Sequence, residues 1–508
     1  MQQQRYENLD NAPSKQSRTT LDSPFYYDAI NAAQEIFDFM YNQSRGKVVA
    51  ESVDLISEPI QISSCWHQSK KPKLDPKLVW KALQRPNSTD FEGYLYAAYM
   101  DRRKSHLFPT ASAVVQILAM VRRFLFGPLY CQLWQSEGRT PVVVLASYRE
   151  IWKRPWDPRN RFYTPWLISC PVPAGGKMPS QISLSFIPCP SLSYSMLAIH
   201  NARSMPSSGA KTEAQDDEKD GDKTTTLARP GSNRSVVVCV KGMDFLGDNS
   251  LRLVEWLELQ YLMGADRVVL YTYAVHSRSA KVMRFYAAEG GRLERVSLSL
   301  PGNEPNVPLE RSRFIWRNRQ QKRRNEIIPY NDCLYRHLES HTHMLIVDTD
   351  EAVVPLAPLK NWQELLALLE EKQQGDTATA FSIRNAFFFD GAQQDDSVPA
   401  HFHMLRHTRR SKKISPAGSY GKSFVPIHNV ASVFNHFPLH RQRPGLRPTH
   451  YVDAKLALKL HFKATCPVES RDECAELLSD TVEDDSLRRF KSQLMLRTNR
   501  VLKRLQLI

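Results

Sequence analysis

The hydrophobic pattern of the chain changes near residue 234. From about residue 60 to 200, short apolar runs such as GYLYAAYM, TPVVVLASY and QISLSFIP are separated by proline-rich turns, which is typical of β-strands. After residue 234, continuous apolar strands alternate with segments whose apolar residues recur at helical spacing. This alternation predicts an α/β fold with a doubly wound, mostly parallel sheet, preceded by a β-rich N-terminal region.

Four strands and three helices make up the start of the α/β pattern. The predicted strands are 235–240, 267–273, 292–300 and 343–347, and the predicted helices are 249–264, 278–289 and roughly 318–340. The first helix has Asn249 or Ser250 to cap its start and Gly264 to end it. Ligands of such sheets bind beyond the carboxyl ends of the strands, so residues that follow each strand become candidates for a site.

The pattern divides the chain into five predicted parts. They are a weakly patterned segment (1–60), a β-rich accessory region (61–202), a polar insertion or linker predicted to be disordered (203–234), an α/β catalytic domain (235–470) and a basic amphipathic C-terminal helix (471–508). In the last part the apolar residues Leu487, Phe490, Leu494, Val501, Leu505 and Ile508 have helical spacing. We expect this helix to dock on the body of the protein, with binding to a membrane surface as the alternative.

Charge and cysteine content narrow the class of function. The formal net charge of the 508 residues is +15, which favours anionic partners such as nucleic acid, membrane surface or phosphate-bearing substrates. The chain has eight cysteines and no C-x-x-C pair, which argues against zinc-ribbon and thioredoxin-like sites. Cys466 and Cys474 are close enough in sequence to close a short disulfide loop. Three N-x-S/T sequons, at Asn42, Asn87 and Asn233, matter only in a lumenal protein.

The segment HMLIVDTDEAVVP (343–355) runs an apolar strand into three acids, Asp348, Asp350 and Glu351. Two carboxylates one residue apart at a strand end can hold Mg²⁺ or Mn²⁺ together with a diphosphate, and a bound cation would then balance the charge. A phosphohydrolase of the haloacid dehalogenase type is a second interpretation. Ala352 stands where that family has threonine or valine, and three strands precede the motif, so the pattern disfavours it. The third interpretation is that the acids only end a strand at the surface.

Several segments in this order resemble glycosyltransferase family 92. They are VVVCVKGMDF, LVEWLELQYLMGADRVVLYTY, NDCLYRHLESHTHMLIVDTDEAVVP, KSFVPIHNV and ALKLHFKATC, with further likeness upstream from about residue 90. The resemblance implies a GT-A-like fold and a metal-dependent, inverting transferase that moves a sugar, galactose in characterised members, from a UDP-sugar to a glycan on a glycoprotein or glycolipid. Where the family usually has an acidic or amide residue after the tyrosine of its second strand, this chain has Thr272 and Tyr273 after Tyr271.

Specific residues follow from the motif and the resemblance together. Asp348 and Asp350 are predicted to bind the metal, Mn²⁺ or Mg²⁺, and the diphosphate, and His461 to complete the metal shell. Glu351 is predicted to bind the donor sugar or to orient another ligand. Lys422 is a candidate for diphosphate contact, and His428 is a further candidate cofactor-binding residue.

An inverting transfer also needs a general base to take the proton of the acceptor hydroxyl. Asp390, which follows the strand-like run AFFFD, is the predicted base, with Asp395 and Asp396 as rivals. Two other functions stay open. One is a glycan- or nucleotide-sugar-binding protein that has lost catalysis. The other is a basic nucleic-acid-binding protein, which we disfavour because zinc-finger cysteines and an RNP-like aromatic strand are absent from the sequence.

The resemblance implies a Golgi or secretory-pathway membrane protein. The N-terminus MQQQRYENLD is not a signal peptide, and the most apolar early run is interrupted by Arg122 and Arg123. Its apolar halves are shorter than the ~20 residues that cross a bilayer. The sequence therefore predicts neither a signal nor an anchor, and membrane association rests on the resemblance alone.

Overall fold

The structure, a computed structural model, describes residues 74–75, 79–85, 88, 90–136, 140–190, 195–202, 234–372 and 377–508. The predicted segment 1–60, all but Arg234 of the predicted insertion 203–234, and the asparagines of the three sequons lie outside the described residues.

The β-rich region is a large sheet in which nearly all neighbouring strands are antiparallel. Its strands are β1 (Lys81–Ala82), β2 (Gly93–Asp101), β3 (Ala113–Arg122), β4 (Tyr130–Trp134), β5 (Val142–Leu145), β6 (Ser147–Glu150), β7 (Tyr163–Val172), β8 (Gln181–Ser185) and β9 (Leu197–His200). They lie in the order β5-β4-β8-β9-β2-β3-β7-β6, with β1 paired to β2. A disulfide between Cys131 and Cys170 joins β4 to β7 inside the apolar core of this region.

The second half of the chain contains the predicted strands and helices. The strands are β10 (Val236–Phe245), β11 (Arg267–Val275), β12 (Leu293–Ser297), β13 (His343–Ile346), β14 (Glu351–Pro355), β15 (Phe381–Ile383), β16 (Asn385–Phe389), β17 (Arg409–Ser411), β18 (Lys422–Pro426), β19 (Val430–Val433), β20 (Pro438–Arg441), β21 (His450–Tyr451), β22 (Ala457–Lys463) and β23 (Thr481–Glu483). The helices are α1 (Ser250–Met263), α2 (Ser277–Ala288), α3 (Pro308–Arg317), α4 (Arg319–Asn325), α5 (Ile327–Arg336), α6 (Trp362–Lys372), α7 (Cys474–Ser479) and α8 (Lys491–Arg504). Short 3₁₀ helices span Ile427–Asn429, Val468–Glu473 and Arg488–Phe490.

The central sheet has the strand order β12-β11-β10-β13-β18-β15-β21. The first four strands are parallel to one another, as predicted, whereas β18 runs antiparallel to both β13 and β15, so the sheet is mixed. In order along the chain, the four parallel strands lie 3-2-1-4 across the sheet. The direction in which strands are added therefore reverses between β10 and β13, and such a reversal opens a crevice for ligands at the carboxyl ends of the two strands.

Both faces of the central sheet are buried, which explains why its strands read as continuous apolar runs. Val236, Val238 and Val240 pack in the core that includes α1, α2 and α6. Their neighbours Val237 and Cys239 face the other way, into a core shared with α5 and strands β2, β3 and β7 of the β-rich region. On that face the disulfide of Cys239 with Cys333 ties β10 to α5.

The ends of the first helix are confirmed, but the prediction of one long helix over 318–340 is wrong. α1 starts at Ser250 and ends before Gly264, whose φ of 121° suits glycine. The segment 318–340 instead forms two helices, α4 and α5, which are separated at Glu326 and end at Arg336. Asn318, with φ −115° and ψ 60°, separates α4 from the preceding helix α3. Pro329 lacks an N–H group, and its place in the first turn of α5 fits a new helix start at Ile327.

The C-terminal helix docks on the body, as we expected, but it spans Lys491–Arg504 rather than the whole of the predicted 471–508, which also contains α7 and β23. Along α8 and its flanks, Leu494 and Val501 are buried in the core that includes α1, whereas Ile508 is half exposed. The predicted loop closed by Cys466 and Cys474 is also present. Among the described residues, no helix combines the length and the apolar character needed to cross a membrane.

Trp362 gives a direct test of how α6 is held against β14. Its indole is fully buried, and its Nε1 donates a hydrogen bond of 2.8 Å to the carbonyl oxygen of Val353. We expect Trp362→Phe to lower the free energy of unfolding by about 1–3 kcal/mol, because the buried carbonyl loses its donor. Trp316→Phe is the matched control, since that ring is 57% exposed, and should change stability by less than about 0.5 kcal/mol. Equal effects in urea unfolding would contradict this assignment.

Candidate active site

The three acids occupy the turn that carries the chain from the central sheet to a second, three-stranded sheet. Asp348 lies just beyond the end of β13, and Glu351 is the first residue of β14, which pairs with β22 in the order β14-β22-β16. The backbone N–H of Glu351 donates to the carbonyl of Asp348, and the backbone N–H of Asp348 donates to the carboxylate of Glu351, each at 3.0 Å. These two bonds close the turn and fix the acids relative to each other.

Glu351 is buried and held by two lysines. Its carboxylate lies 2.6 Å from Nζ of Lys459 and 3.4 Å from Nζ of Lys422, and both lysines are buried too. Burial raises the pKa of Glu351, but Lys422 and Lys459 outweigh it and hold that pKa well below its usual range. With both oxygens engaged, Glu351 has the geometry of a residue that positions its neighbours.

Asp348, just beyond the end of β13, contacts residues of both neighbouring strands, β10 and β18. Its Oδ1 lies 3.3 Å from Nζ of Lys241 on β10, and its Oδ2 lies 3.3 Å from Nζ of Lys422 at the start of β18. Burial raises the pKa of Asp348, but the two ammonium groups outweigh burial and lower that pKa to well below its usual range. An ionised carboxylate and two lysines therefore meet at the point where the strand order reverses.

Asp350 is the most exposed of the three acids, with 39% of its side chain accessible. Its Oδ2 lies 3.6 Å from Nε2 of His461 and accepts a hydrogen bond of 2.7 Å from Lys463 at the rim. The ring of His461 stacks on Phe387 with centroids 5.5 Å apart. Burial lowers the pKa of His461, which favours the neutral imidazole. Nζ of Lys459 lies 3.3 Å from its Nδ1, and an ammonium group can only donate, so in the neutral ring Nε2 carries the hydrogen toward Asp350 and would have to release it to bind a metal ion.

The charge of the acids is balanced by the chain itself. Lys241, Lys422, Lys459 and Lys463 each lie within 4.0 Å of at least one of the three carboxylates, and Glu326 adds a fourth carboxylate 3.6 Å from Lys241. The lysines therefore balance the charge that the sequence interpretation assigned to a bound cation. Lys241 and Lys463, which are partly exposed, are the two whose ammonium groups are accessible from solvent.

Within the cluster of acids, only Asp350 and His461 have ligand atoms placed to bind a divalent cation. Asp350 and His461 bring a carboxylate oxygen and an imidazole nitrogen to 3.6 Å, with Asp350 on the solvent side and His461 largely buried behind it. A Mg²⁺ or Mn²⁺ ion that also binds a substrate diphosphate needs few protein ligands, so two are sufficient. Asp348, in contrast, already has both oxygens on lysines. The predicted pair of Asp350 with His461 is thus brought together, and Asp348 is placed to hold lysines.

The other predicted residues lie in different surroundings. Lys422 is at the acids, as described above. His428 is exposed and lies past the far end of β18, near the start of β13, about 16 Å along the strand from Asp348. Asp390 follows β16 at the same edge as Lys463, and its Oδ1 faces His403 and His407 at 3.0 and 3.3 Å. Asp395 pairs with Lys491, and Asp396 is almost fully exposed.

Sequence reasoning missed Lys241, Lys459 and Lys463, although a signal for each was present. Lys241 directly follows the apolar run VVVCV, so the argument that singled out Asp348 applies equally to it. Lys459 and Lys463 flank His461 at two-residue spacing in KLHFK, and the alternation of a strand places all three on one face.

Comparisons with known proteins give one clear match. The family model described as "Glycosyltransferase family 92" matches residues 234–498, just over half of the chain. A search of curated proteins gives no match.

Two solved structures are among those that match, both at low similarity. TarS 1-349 of S. aureus, described as in complex with UDP, is 12% identical with a TM-score of 0.20, and the match covers 32% of this chain and 38% of that one. HddC of Yersinia pseudotuberculosis is 12% identical with a TM-score of 0.20, over 48% of this chain and all of that one. Scores this low carry no structural argument.

Glu351→Gln tests whether the buried ion pairs hold the site. The substitution keeps the size of the side chain but leaves Lys422 and Lys459 short of a counter-charge in the interior. We expect the free energy of unfolding to fall by about 3–5 kcal/mol, the usual result of breaking a buried pair. The control is Glu289→Gln, which removes a solvent-exposed partner of Arg504 and should cost less than about 1 kcal/mol. Chemical unfolding measures both, and a loss below 1 kcal/mol for Glu351→Gln would contradict the assignment.

Proposed function

Because the chain belongs to glycosyltransferase family 92, we propose that it transfers a sugar from a UDP-sugar to a glycan acceptor. The proposed donor sugar is galactose, and the proposed reaction inverts the configuration at C1 to form a β-linkage in a GT-A-like catalytic domain. The acceptor is a glycan on a glycoprotein or glycolipid. Membership of the family supports sugar transfer, and the finer features are our proposal.

One observation indicates where in the fold the donor would bind. Lys241 and Lys422 meet Asp348 in the crevice between β10 and β13, and the partly exposed pair of Asp350 and His461 lies beside them. A nucleoside diphosphate needs cationic groups for its phosphates and a crevice at the carboxyl ends of parallel strands. Both requirements are met around the turn of residues 348–351, with the cationic groups supplied by Lys241 on β10 and Lys422 on β18.

In the proposed reaction the lysines act on the diphosphate. Lys241, which is partly exposed, and Lys463 at the rim are the ammonium groups with most freedom to turn toward a phosphate oxygen. Lys422 is buried and pinned by Asp348 and Glu351, so it supplies a fixed positive charge beneath the site. Fixed charge of this kind stabilises the negative charge that develops on a leaving diphosphate, without the cost of reorienting a side chain.

Asp350 and His461 are the residues that would hold the divalent cation, Mn²⁺ or Mg²⁺. When bound, such a cation neutralises part of the charge on the leaving diphosphate. Stacking on Phe387 fixes the ring of His461, so its Nε2 keeps facing Asp350.

We assign no general base. A base needs a pKa near the working pH, whereas the hydrogen bond with His403 holds the pKa of Asp390 far below the usual range of a carboxyl group. Asp390 also lies on the opposite face of the three-stranded sheet from His461. His407 contacts the rings of Phe388 and Phe462 on that face, while His461 stacks on Phe387 on the other. We therefore leave Asp390 out of the proposed transfer step.

The cysteines support a place in the secretory pathway. Among the described residues every cysteine is in a disulfide, including three pairs that join distant or neighbouring parts of the fold. Disulfides persist in oxidising compartments and are rare in the cytosol. We propose the Golgi lumen as the working compartment, with membrane association resting on the likeness to the family.

The proposal is tested by release of UDP and formation of product from UDP-galactose and other UDP-sugars, with a panel of glycan acceptors and with Mn²⁺, Mg²⁺ or EDTA. We expect transfer that requires a divalent cation and falls about a hundredfold or more in Asp350→Asn and His461→Ala. Asp480→Asn is the matched control, because that exposed carboxylate pairs only with Lys412 at the surface, and it should retain full activity.

Two outcomes would contradict the proposal. Transfer that persists unchanged in Asp350→Asn would remove the acids from the site. Binding of UDP-sugars without turnover on any acceptor would favour the alternative of a binding protein that has lost catalysis.

A further inference from the structure

Three side chains with metal-binding atoms converge at the carboxyl end of β16, outside the site described above. Nε2 of His403 and Nε2 of His407 lie 3.0 and 3.3 Å from the same oxygen, Oδ1 of Asp390. One ligand atom from each residue lies within 4.8 Å of the others, and no other such group of three occurs in the part of the chain that the structure describes. The carboxylate is one-third exposed, whereas the ring of His407 is fully buried.

The hydrogen bond at Nδ1 of His407 determines whether the other ring nitrogen, Nε2, which faces the carboxylate, carries a hydrogen. Nδ1 of His407 lies 2.7 Å from the backbone carbonyl oxygen of His403, and a carbonyl can only accept, so Nδ1 carries the hydrogen. In the neutral ring Nε2 is then an acceptor. It is buried, makes no hydrogen bond, and lies 3.3 Å from Oδ1 of Asp390, which is also an acceptor. Two acceptors this close need a proton or a cation between them.

The cluster is held together by contacts that do not depend on an ion. The buried carboxylate of Glu255 on α1 accepts hydrogen bonds from the backbone N–H groups of His403, Met404 and Leu405, at 2.7 to 3.1 Å. The ring of His407 contacts those of Phe388 and Phe462, at centroid distances of 6.2 and 5.3 Å. The two imidazoles are therefore preset at the end of β16.

We propose that Asp390, His403 and His407 form a second cation site, which binds a divalent transition metal of the zinc type. Imidazole nitrogen and carboxylate oxygen are ligands that Zn²⁺ prefers, and metal–ligand lengths of about 2.0–2.1 Å place tetrahedral ligands about 3.3 Å apart. The measured separations of 3.0 and 3.3 Å agree with this value. A carbonyl bound to Nδ1 of a metal-binding histidine is the usual outer contact that orients its ring.

The site would join two parts of the chain that are separate in sequence. Asp390 ends β16, and the two histidines lie in the loop that leads to β17. A bound ion would therefore cross-link the loop of residues 391–408 to the three-stranded sheet, on the face opposite His461. This is a structural effect on the loop, and it does not depend on the proposed sugar transfer.

The experiment is calorimetric titration of Zn²⁺ into the metal-stripped full chain without nucleotide, together with measurement of the metal retained after dialysis. Because Asp350 and His461 can also bind a cation, the titration is repeated in Asp350→Asn/His461→Gln. We expect one Zn²⁺ per chain in that variant. Adding His403→Gln should weaken its binding roughly tenfold or more.

His401→Gln is the matched control, because His401 lies in the same loop but bonds to Asn499, and it should leave Zn²⁺ binding unchanged. Asp390→Asn adds a variant of equal size on the strand side, in case the histidine variants fold poorly. Two results would overturn the proposal. One is Zn²⁺ binding that is unchanged by His403→Gln and Asp390→Asn, and the other is the absence of Zn²⁺ binding by the folded chain. Loss of the site with UDP-sugar turnover intact would leave the proposed function standing.

Discussion

The buried carboxylate of Glu351, held between Lys422 and Lys459, is the interaction on which the arrangement of the site depends. It joins three strands from two sheets: Glu351 begins β14, Lys459 lies on β22, and Lys422 begins β18 in the central sheet. A single charge left unpaired in such an interior costs several kcal/mol, so the three residues are stable only together. Lys422 also pairs with Asp348, and this second contact holds the turn that contains the three acids.

Strand order explains why this charged cluster lies where it does. The order 3-2-1-4 of the parallel strands leaves a crevice between β10 and β13, and each strand delivers a charged residue there, Lys241 from one and Asp348 from the other. β14 then carries the chain into the smaller sheet, whose two faces have different chemistry. One face presents His461 to Asp350, and the other packs His407 against Phe388 and Phe462. A site for an anion and a site for a metal can thus share one small sheet.

The parallel strands, the first helix and the docking C-terminal helix were predictable from sequence, because continuous apolar runs and helical spacing are local patterns. One continuous helix over 318–340 was predicted wrongly, because the division between α4 and α5 at Glu326, close to Pro329, is a detail of the backbone that the spacing of apolar residues does not show. Asp348, Asp350 and His461 were predicted from their motif and its setting, and the structure places them in one cluster. The lysines were missed because the charge of the acids was assigned to a cation, and only the fold shows that Lys459 from a distant strand reaches Glu351 at 2.6 Å. Asp390 was singled out from the sequence as a reactive carboxylate. Its contacts with two histidines were not predictable, because they depend on a loop that Glu255 holds in place.

The central claim is that residues 348–351 and their lysines form the donor site. A crystal structure of the full chain with UDP and Mn²⁺ tests it most directly. The account predicts the diphosphate in the crevice between β10 and β13, in contact with Lys241 or Lys463, with the cation on Asp350 and His461. UDP bound elsewhere, or a cation placed at the crevice without either of these two residues, would contradict the account.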